Sequence, residues 1–492
     1  MLSRAIRPNR AIRGPVFQPN PVSSRRTGSS LRLQAQVADV SKGIDTDGCS
    51  LPAFIGNPNV QSEPSVVGPI GTPPYDSPGA AKLENVLANT VSFELQSGRD
   101  EFWRKVPYWA DVTAKDFLSY RWSVANTVQG TVKLFKFLQT VVPEEVPVDK
   151  LGMQMQSRDE FIKDVLDGVA AATMAIRMTP YILSRINWLD PRHDPIARQF
   201  LPMKSIMLPD HPKLTLDSLH ETADSPVKGL ASLKPTRRRW EEAFAYIESR
   251  PELQDIVVSG GDSYYLQPEQ LTLIGERLIS LPNIKRFRFA SKGLAVAPTR
   301  ILDESDGWVN ALIDISNKAK KAGKSMALHT HFNSPNEISW ISSDASQKLF
   351  ENGVMVRNQT VLLRGVNDDY ETMSTLIRQL ADNNITPYYV YQCDLVERVE
   401  HLRTPLQTIL DLEAKIRGSI AGFMTPSFVV DLPGGGGKRL ACSYQSYDRD
   451  TGVSTFVAPA VTGRDKADKV YEYYDPVDML PEASRGVYKS SI

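Results

Sequence analysis

Cysteine is scarce in this sequence, and the few cysteines lie far apart. The 492 residues include three of them, Cys49, Cys393 and Cys442. Their spacing excludes a disulfide framework and any local group of thiolate ligands for zinc or an iron–sulfur cluster. We therefore predict no metal-ligating residues.

Long apolar runs and an excess of one charge are also absent. No stretch stays apolar over the roughly 20 residues that a transmembrane helix needs. The 57 basic and 57 acidic residues balance, so the charge gives no reason to expect a nucleic-acid partner. We expect neither a membrane nor a nucleic acid as a partner.

Acidic residues are missing from the first 38 positions, which contain seven arginines and no lysine. This composition is typical of a mitochondrial presequence, although a disordered basic tail has the same character. We predict a presequence at 1–38 and a mitochondrial location, with a cytoplasmic location as the alternative. Residues 39–96 are rich in Pro, Gly, Ser and Asn, which predicts a disordered linker.

The rest of the chain changes its periodicity near residue 231. Apolar residues at three- and four-residue spacing predict a helical domain over 97–230. Beyond it, six β-rich runs, from "DIVVSG" to "SFVVD", alternate with helix-like segments. This alternation predicts parallel strands with crossover helices, hence an α/β fold that forms a barrel or part-barrel over 231–445. Residues 446–492 are predicted to form a C-terminal segment.

The stretch "FVVDLPGGGGKRL" places four glycines before Lys438. It lacks the glycine spacing and the Ser or Thr of a phosphate-binding loop. A partly desolvated lysine loses its proton more easily and can form an imine with an aldehyde, most often that of pyridoxal phosphate. The alternative is a flexible turn that ends in a solvated lysine.

Polar residues follow other predicted strands, where part-barrels collect their chemistry. Asp394 and Asp431 each close a strand, and two carboxylates there could hold an ammonium group or could cap helices. His329 and His331 share a strand face, which favours barrel-lining histidines over a metal pair. "SGGD", at 259–262, is compatible with ligand contact or with a plain turn.

Taken together, these motifs resemble the lysine 2,3-aminomutase family over roughly residues 100 to 445. The shared stretches are "DIVVSGGD", "HTHFNSPNE", "NQTVLLRGVND", "PYYVYQCD" with "HLRTP", and "FVVDLPGGGGK", in that order. The resemblance implies a partial (β/α)6 TIM-like barrel of the radical S-adenosylmethionine type. It also implies isomerisation of L-lysine to β-lysine by a 5′-deoxyadenosyl radical, with pyridoxal phosphate, S-adenosylmethionine and a [4Fe–4S] cluster.

The resemblance assigns a role to individual residues. Lys438 would be the catalytic residue that holds pyridoxal phosphate, and Gln359 would contact that cofactor. Asp394 and Asp431 would bind the ε-ammonium group of the substrate. The residues along S-adenosylmethionine would be Ser259, Gly260, Gly261 and Asp262.

One segment of the family is missing from this chain. The family anchors its cluster by a C-x3-C-x2-C loop that follows an apolar strand before SGGD. Here "DSPVKGL" continues directly into "ASLKPTRRRWEEAFAYIESRPELQD", with the break between Leu230 and Ala231. The first barrel strand, the cluster loop and the arginines for the substrate carboxylate and the cofactor phosphate are therefore expected to be absent.

The missing segment leaves two other functions open. One is a protein that binds pyridoxal phosphate or an amino acid without radical chemistry. The other is an aminomutase for a different amino acid, such as glutamate or arginine. The paired acids at Asp394 and Asp431 favour a cationic side chain over glutamate.

Overall fold

A computed structural model of the chain describes residues 99–220, 237–259, 262–459 and 468–489. The predicted presequence at 1–38, the linker at 39–96 and the junction between Leu230 and Ala231 lie outside these residues. The proposed domain boundaries stay predictions.

The centre of the fold is a curled seven-stranded sheet. Its first six strands are parallel, and the seventh pairs with the sixth in the antiparallel sense; the sheet order follows the chain order. The strands are β1 (Asp255–Val258), β2 (Arg286–Ala290), β3 (Ser325–Thr330), β4 (Met355–Val361), β5 (Thr386–Tyr391), β6 (Ser427–Leu432) and β7 (Gly437–Leu440).

Helices connect these strands in the order expected of a part-barrel. Apolar side chains of the helices and of one strand face, such as Phe287, Phe289 and Leu328, form one buried core. The helices of this part are Arg237–Glu248, Pro268–Ser280, Gly293–Val296, Thr299–Leu302, Trp308–Lys321, Trp340–Glu351, Tyr370–Asp382 and Leu406–Ile416. The predicted α/β part-barrel, with its six parallel strands and crossover helices, is confirmed.

The helix Tyr370–Asp382 shows how the sequence specifies these crossovers. Asp369 caps its start, because the carboxylate accepts a hydrogen bond from the backbone N–H of Thr372 at 2.8 Å. Apolar residues recur at three- and four-residue spacing and pack inward, as a helix with one buried face requires. These buried residues are Met373, Leu376, Ile377 and Leu380.

Most of the regular secondary structure between residues 99 and 220 is helical, with two short antiparallel ribbons. Within it, the buried Tyr181 donates a hydrogen bond to the carbonyl of Glu337 at 2.8 Å, beyond the end of β3. The helices are Ala114–Phe117, Tyr120–Ala125, Gly130–Val141, Arg158–Ala171, Pro180–Ser184 and Pro195–Phe200, and the ribbons pair Val128–Gln129 with Arg177–Met178 and Glu145–Pro147 with Met155–Ser157.

A second sheet follows the barrel and was not predicted from the sequence. Its three antiparallel strands are β8 (Ser446–Asp448), β9 (Val453–Val457) and β10 (Val470–Tyr474), and a helix at Glu482–Lys489 comes after them. Apolar residues of β9 and β10 share a buried cluster with residues of β6. This sheet therefore packs against the end of the barrel sheet that carries β6.

Candidate active site

Side chains of alternate strand residues point to the concave face of the sheet. Neighbouring residues such as Phe289, Leu328 and Val356 pack against the helices, so the residues between them face the other way. A smaller apolar cluster, which includes Tyr391, Cys393 and Val429, lies on that inner face. The polar residues described below share the inner face or the strand ends above it.

Lys438 lies directly opposite Asp431 in the β6–β7 hairpin. Its Nζ is 2.6 Å from Oδ2 of Asp431, and the two side chains are 18% and 3% exposed. The same Nζ lies 4.4 Å from the centre of the Tyr391 ring, at a distance that allows a cation–π contact. The carboxylate and the aromatic ring thus form a sheltered binding place for an ammonium group.

The four glycines make the tight loop of this hairpin. Gly434, Gly435 and Gly437 have φ values of 68°, 76° and 88°, which side chains with a Cβ rarely adopt. A Cβ on Gly436 would lie 2.6 Å from the Cβ of Leu432 and 2.9 Å from the ring of Tyr471. The glycines are therefore explained by the turn that brings Lys438 back across Asp431.

Asp394 follows β5, the strand beside β6. Tyr391 is paired with Val429 in the parallel ladder, so Asp394 and Asp431 stand at the same end of neighbouring strands. Neither residue caps a helix among the described elements: the short helices after them begin at Glu400 and Pro433, with other residues at the cap. The helix-capping alternative for these two aspartates is wrong.

Gln359 lies on β4, within hydrogen-bonding distance of His329 on β3 and of His331 just after that strand. Its side-chain amide is 3.2 Å from Nδ1 of His329, and its carbonyl accepts a hydrogen bond from Nδ1 of His331 at 2.6 Å. Asn333 donates to Nε2 of His331 at 3.1 Å. Both nitrogens of His331 are thus engaged in hydrogen bonds, as in the barrel-lining role predicted for it.

Two arginines flank His329 on the neighbouring strands, and the sequence argument had missed both. Burial, followed by the positive charges of Arg288 and Arg357, lowers the pKa of His329 to about 3. The guanidinium of Arg357 also lies 5.3 Å from the centre of the Tyr388 ring. The concave face therefore carries positive charge that an anionic group would meet.

The SGGD stretch follows β1, the edge strand on the side of the sheet opposite β7. Ser259 follows β1 and is half-buried, while Gly260 and Gly261 fall outside the described residues. Asp262 accepts a hydrogen bond from the backbone N–H of Tyr264 at 2.8 Å. Burial raises the pKa of Asp262, although a hydrogen bond from Ser291, just after β2, opposes this effect.

The described cysteines do not form a ligand group. Cys393 is buried, and burial raises the pKa of its thiol to about 12, so it stays protonated. Cys442 is exposed after β7. Within the residues that the structure describes, no three His, Cys, Asp or Glu side chains lie together as a metal site would require.

These features define an α/β part-barrel protein with an enclosed lysine–carboxylate pair at one end of its sheet. Several curated proteins named L-lysine 2,3-aminomutase are similar to this chain. It is 34% identical over 368 residues to an L-lysine 2,3-aminomutase of Clostridium subterminale, covering 68% of this chain and 80% of the relative. It is 31% identical over 367 residues to an L-lysine 2,3-aminomutase of Bacillus subtilis, covering 68% and 71%.

A third relative carries a different substrate in its name. The chain is 27% identical over 364 residues to a glutamate 2,3-aminomutase of Clostridioides difficile, covering 66% of this chain and 77% of the relative. No protein-family model matches the chain. With these similarities, the chain belongs to the L-lysine 2,3-aminomutase family, which is a family of isomerases.

Proposed function

We propose that this chain is built to move the amino group of L-lysine from carbon 2 to carbon 3. The observation that carries the proposal is the ammonium group held between Asp431 and Tyr391. In this structure the ammonium belongs to Lys438. The same carboxylate and ring would bind the ε-ammonium of lysine through a charge-assisted hydrogen bond and a cation–π contact.

Competition for Asp431 links the cofactor to the substrate. A Lys438 amine bonded to pyridoxal phosphate would no longer be an ammonium group that pairs with Asp431. Breaking a desolvated ion pair is destabilising, so the ammonium of a cationic substrate side chain would take the place of Lys438 beside this carboxylate. Asp394, at the end of the neighbouring strand, adds a second negative charge. Glutamate would instead bring its own carboxylate to this place, which disfavours it as the substrate.

The residues around Lys438 fit pyridoxal phosphate. Lys438 supplies the amine, the rings of Tyr389 and Tyr391 lie 6.0 Å and 4.4 Å from it, and Gln359 can hydrogen-bond to the cofactor. Arg288 and Arg357 supply positive charge for its phosphate in place of the arginines expected to be missing. When bound, the cofactor supplies an aldehyde that reacts with amines and an electron-withdrawing ring.

The residues present do not fit a [4Fe–4S] cluster. Three thiolates must converge on it, and neither the buried Cys393 nor the exposed Cys442 belongs to such a group. We therefore propose that the family's radical chemistry with S-adenosylmethionine requires the C-x3-C-x2-C segment. Without that segment the chain is inactive in this reaction, and Ser259 and Asp262 remain the described residues proposed to lie along S-adenosylmethionine.

The same observation favours a second candidate function. A chain with an intact amine-binding end and without cluster ligands would bind pyridoxal phosphate or an amino acid without radical chemistry. Both candidates share Lys438 and differ in whether a cluster segment belongs to the functional protein.

The location and assembly of the protein are proposed from the sequence alone. We propose a mitochondrial location from the arginine-rich, acid-free residues 1–38, with the cytoplasm as the alternative. A homo-oligomer is a further proposal. Among the described residues, no helix has the length and apolar character to cross a membrane.

Trapping the cofactor lysine tests the proposal. The full chain is incubated with pyridoxal phosphate, reduced with borohydride and mapped by peptide mass spectrometry. We expect the label on Lys438, because its amine is sheltered beside tyrosine rings at the strand end, and we expect Lys438→Ala to abolish it.

Lys292 offers a matched control for this experiment. Its Nζ lies 3.0 Å from Oε1 of the buried Glu337, so it too is a barrel lysine paired with a sheltered carboxylate. Lys292→Ala should keep the label on Lys438. A label on another lysine, or one that survives Lys438→Ala, would contradict the assignment.

A further inference from the structure

The second sheet, β8 to β10, is the C-terminal sheet of the chain. The hydroxyl group of one of its residues contacts the backbone just before Asp394. Tyr473, on β10, donates a hydrogen bond to the carbonyl of Cys393 at 2.8 Å. That carbonyl belongs to the peptide group between Cys393 and Asp394. The two residues stand 80 positions apart in the sequence, so this contact forms only when the C-terminal sheet has packed onto the barrel.

Further contacts fix the tyrosine in place. The side-chain amide of Gln392 donates to the Tyr473 hydroxyl at 3.3 Å and to the carbonyl of Thr404 at 2.6 Å. The guanidinium of Arg403 lies 5.6 Å from the centre of the Tyr473 ring. It also pairs with Glu400 at 2.6 Å and donates to the carbonyl of Tyr474.

These groups are enclosed by protein. Tyr473 is 1% exposed and Arg403 is fully buried. Burial raises the pKa of the Tyr473 hydroxyl, which therefore keeps its proton and acts as a donor. A hydrogen bond inside such a site restrains the acceptor, because no water can take the place of a missing donor.

We propose that Tyr473 is a positioning residue for substrate recognition. Its hydroxyl holds the peptide group before Asp394 and thereby sets the direction in which the Asp394 carboxylate meets the substrate's side-chain ammonium. This inference rests on the proposed function, because it assumes that Asp394 binds that ammonium. It gives the C-terminal sheet a part in choosing the substrate.

Comparing lysine with norleucine tests the role of this hydroxyl. Norleucine has the same chain length without the side-chain ammonium, so the ratio of the two affinities reports ammonium recognition. Both are titrated calorimetrically into the full chain saturated with pyridoxal phosphate. We expect Tyr473→Phe to weaken lysine binding roughly fivefold to tenfold, the effect of about one hydrogen bond, and to leave norleucine binding unchanged.

Tyr471 provides the matched control on the same strand. It is also buried, and its hydroxyl has no hydrogen-bond partner in the described part of the chain. Tyr471→Phe keeps the ring that packs on Gly436 and should keep the wild-type ratio. An unchanged ratio in Tyr473→Phe, or an equal change in Tyr471→Phe, would overturn the inference.

Asp394→Asn separates failure of this inference from failure of the proposed function. If the wild-type chain does not prefer lysine, or if Asp394→Asn keeps its preference, the proposed substrate site is wrong and the inference falls with it. If Asp394→Asn lowers the ratio and Tyr473→Phe does not, the inference alone is wrong. Should Tyr473→Phe fail to fold, Gln392→Met is expected to lower the same ratio by a smaller factor, and an unchanged ratio would overturn the inference.

Discussion

The edge strands β7 and β1 define the two ends of the barrel sheet, and these ends differ in how much structure surrounds them. At one end, β6 and β7 form a hairpin with an enclosed ion pair between Lys438 and Asp431, and the C-terminal sheet packs beside them. At the other end, β1 has four residues and pairs only with β2 among the described strands. Asp255, at its start, is exposed and pairs with the exposed Arg286.

The two ends correspond to two parts of the chemistry implied by the family: binding of pyridoxal phosphate and substrate, and binding of S-adenosylmethionine and the cluster. The complete end carries Lys438, Asp394 and Asp431, the residues proposed for cofactor and substrate. The incomplete end carries Ser259 and Asp262, proposed for S-adenosylmethionine, and it is the end where the cluster strand would join. The residues proposed for cofactor and substrate lie at one end, while the segment expected to be missing would lie beside the other. A single lost segment explains this pattern better than gradual decay, which would have scattered changes over both ends.

The largest expected effect is the complete absence of a cluster at the incomplete end. After anaerobic reconstitution with iron and sulfide, the unmodified chain should show neither the visible absorption nor the EPR signal of a [4Fe–4S] cluster. It should not cleave S-adenosylmethionine. The physical reason is that the cysteines cannot supply three convergent thiolates.

The matched control is a version with a family C-x3-C-x2-C segment inserted between Leu230 and Ala231. It should assemble the cluster and convert lysine to β-lysine, while the same insertion with its three cysteines changed to serine should not. A stoichiometric cluster in the unmodified chain would contradict the comparison between the two ends. Reading genomic DNA across this junction would further show whether a coding segment has been omitted.

The next effect concerns the complete end. In the version with the segment restored, Asp431→Asn or Asp394→Asn should raise the KM for lysine by some hundreds-fold. Removing one partner of a desolvated charge pair costs about 3–5 kcal/mol. Steady-state kinetics with lysine measure this effect, and binding of S-adenosylmethionine should stay nearly unchanged because it involves the other end.

Asp369→Asn is the control for these two substitutions, because Asp369 caps the helix Tyr370–Asp382. Asparagine is also a good capping residue, so the KM for lysine should not change in Asp369→Asn. Equal loss of lysine and S-adenosylmethionine binding in the Asp431 or Asp394 variants would indicate misfolding. No loss at all would remove these acids from the substrate site.

The sequence predicted the features that depend on local periodicity. Strands and crossover helices were predicted because apolar residues alternate or recur every three to four positions, and the helix Tyr370–Asp382 shows both a cap and a buried face. Lys438 was selected because a glycine run before a lysine is unusual. The need for the glycines could not be read from the sequence, since their positive φ values are evident only in the hairpin.

The features that were missed depend on contacts between distant parts of the chain. Nothing in the local pattern of "VYEYY" shows that Tyr473 meets Cys393, or that β10 belongs to a sheet beside the barrel. Arg288 and Arg357 were overlooked because a charged residue on a predicted strand is usually solvated. Their effect on His329 requires that three strands lie side by side.

The smallest effect follows from His329, which lies between the two ends on β3. Its pKa is about 3 in the folded chain because it is buried between Arg288 and Arg357, whereas an unfolded histidine titrates near pH 6.5. The unfolded state therefore takes up a proton first as the pH falls below about 6.5. The contribution of this histidine to stability is complete above that pH and is lost progressively toward about pH 3.

Urea unfolding at several pH values measures this loss. Between about pH 7 and pH 4, His329→Gln should lose less free energy of unfolding than the wild type, by up to about 3 kcal/mol, because glutamine does not titrate. Thr330→Val changes the neighbouring buried residue on β3, and its free energy of unfolding should fall with pH by the same amount as that of the wild type. If the free energy of unfolding of His329→Gln also falls by the same amount as that of the wild type, His329 is not held neutral on the concave face. That result would contradict the burial of His329 beside Arg288 and Arg357.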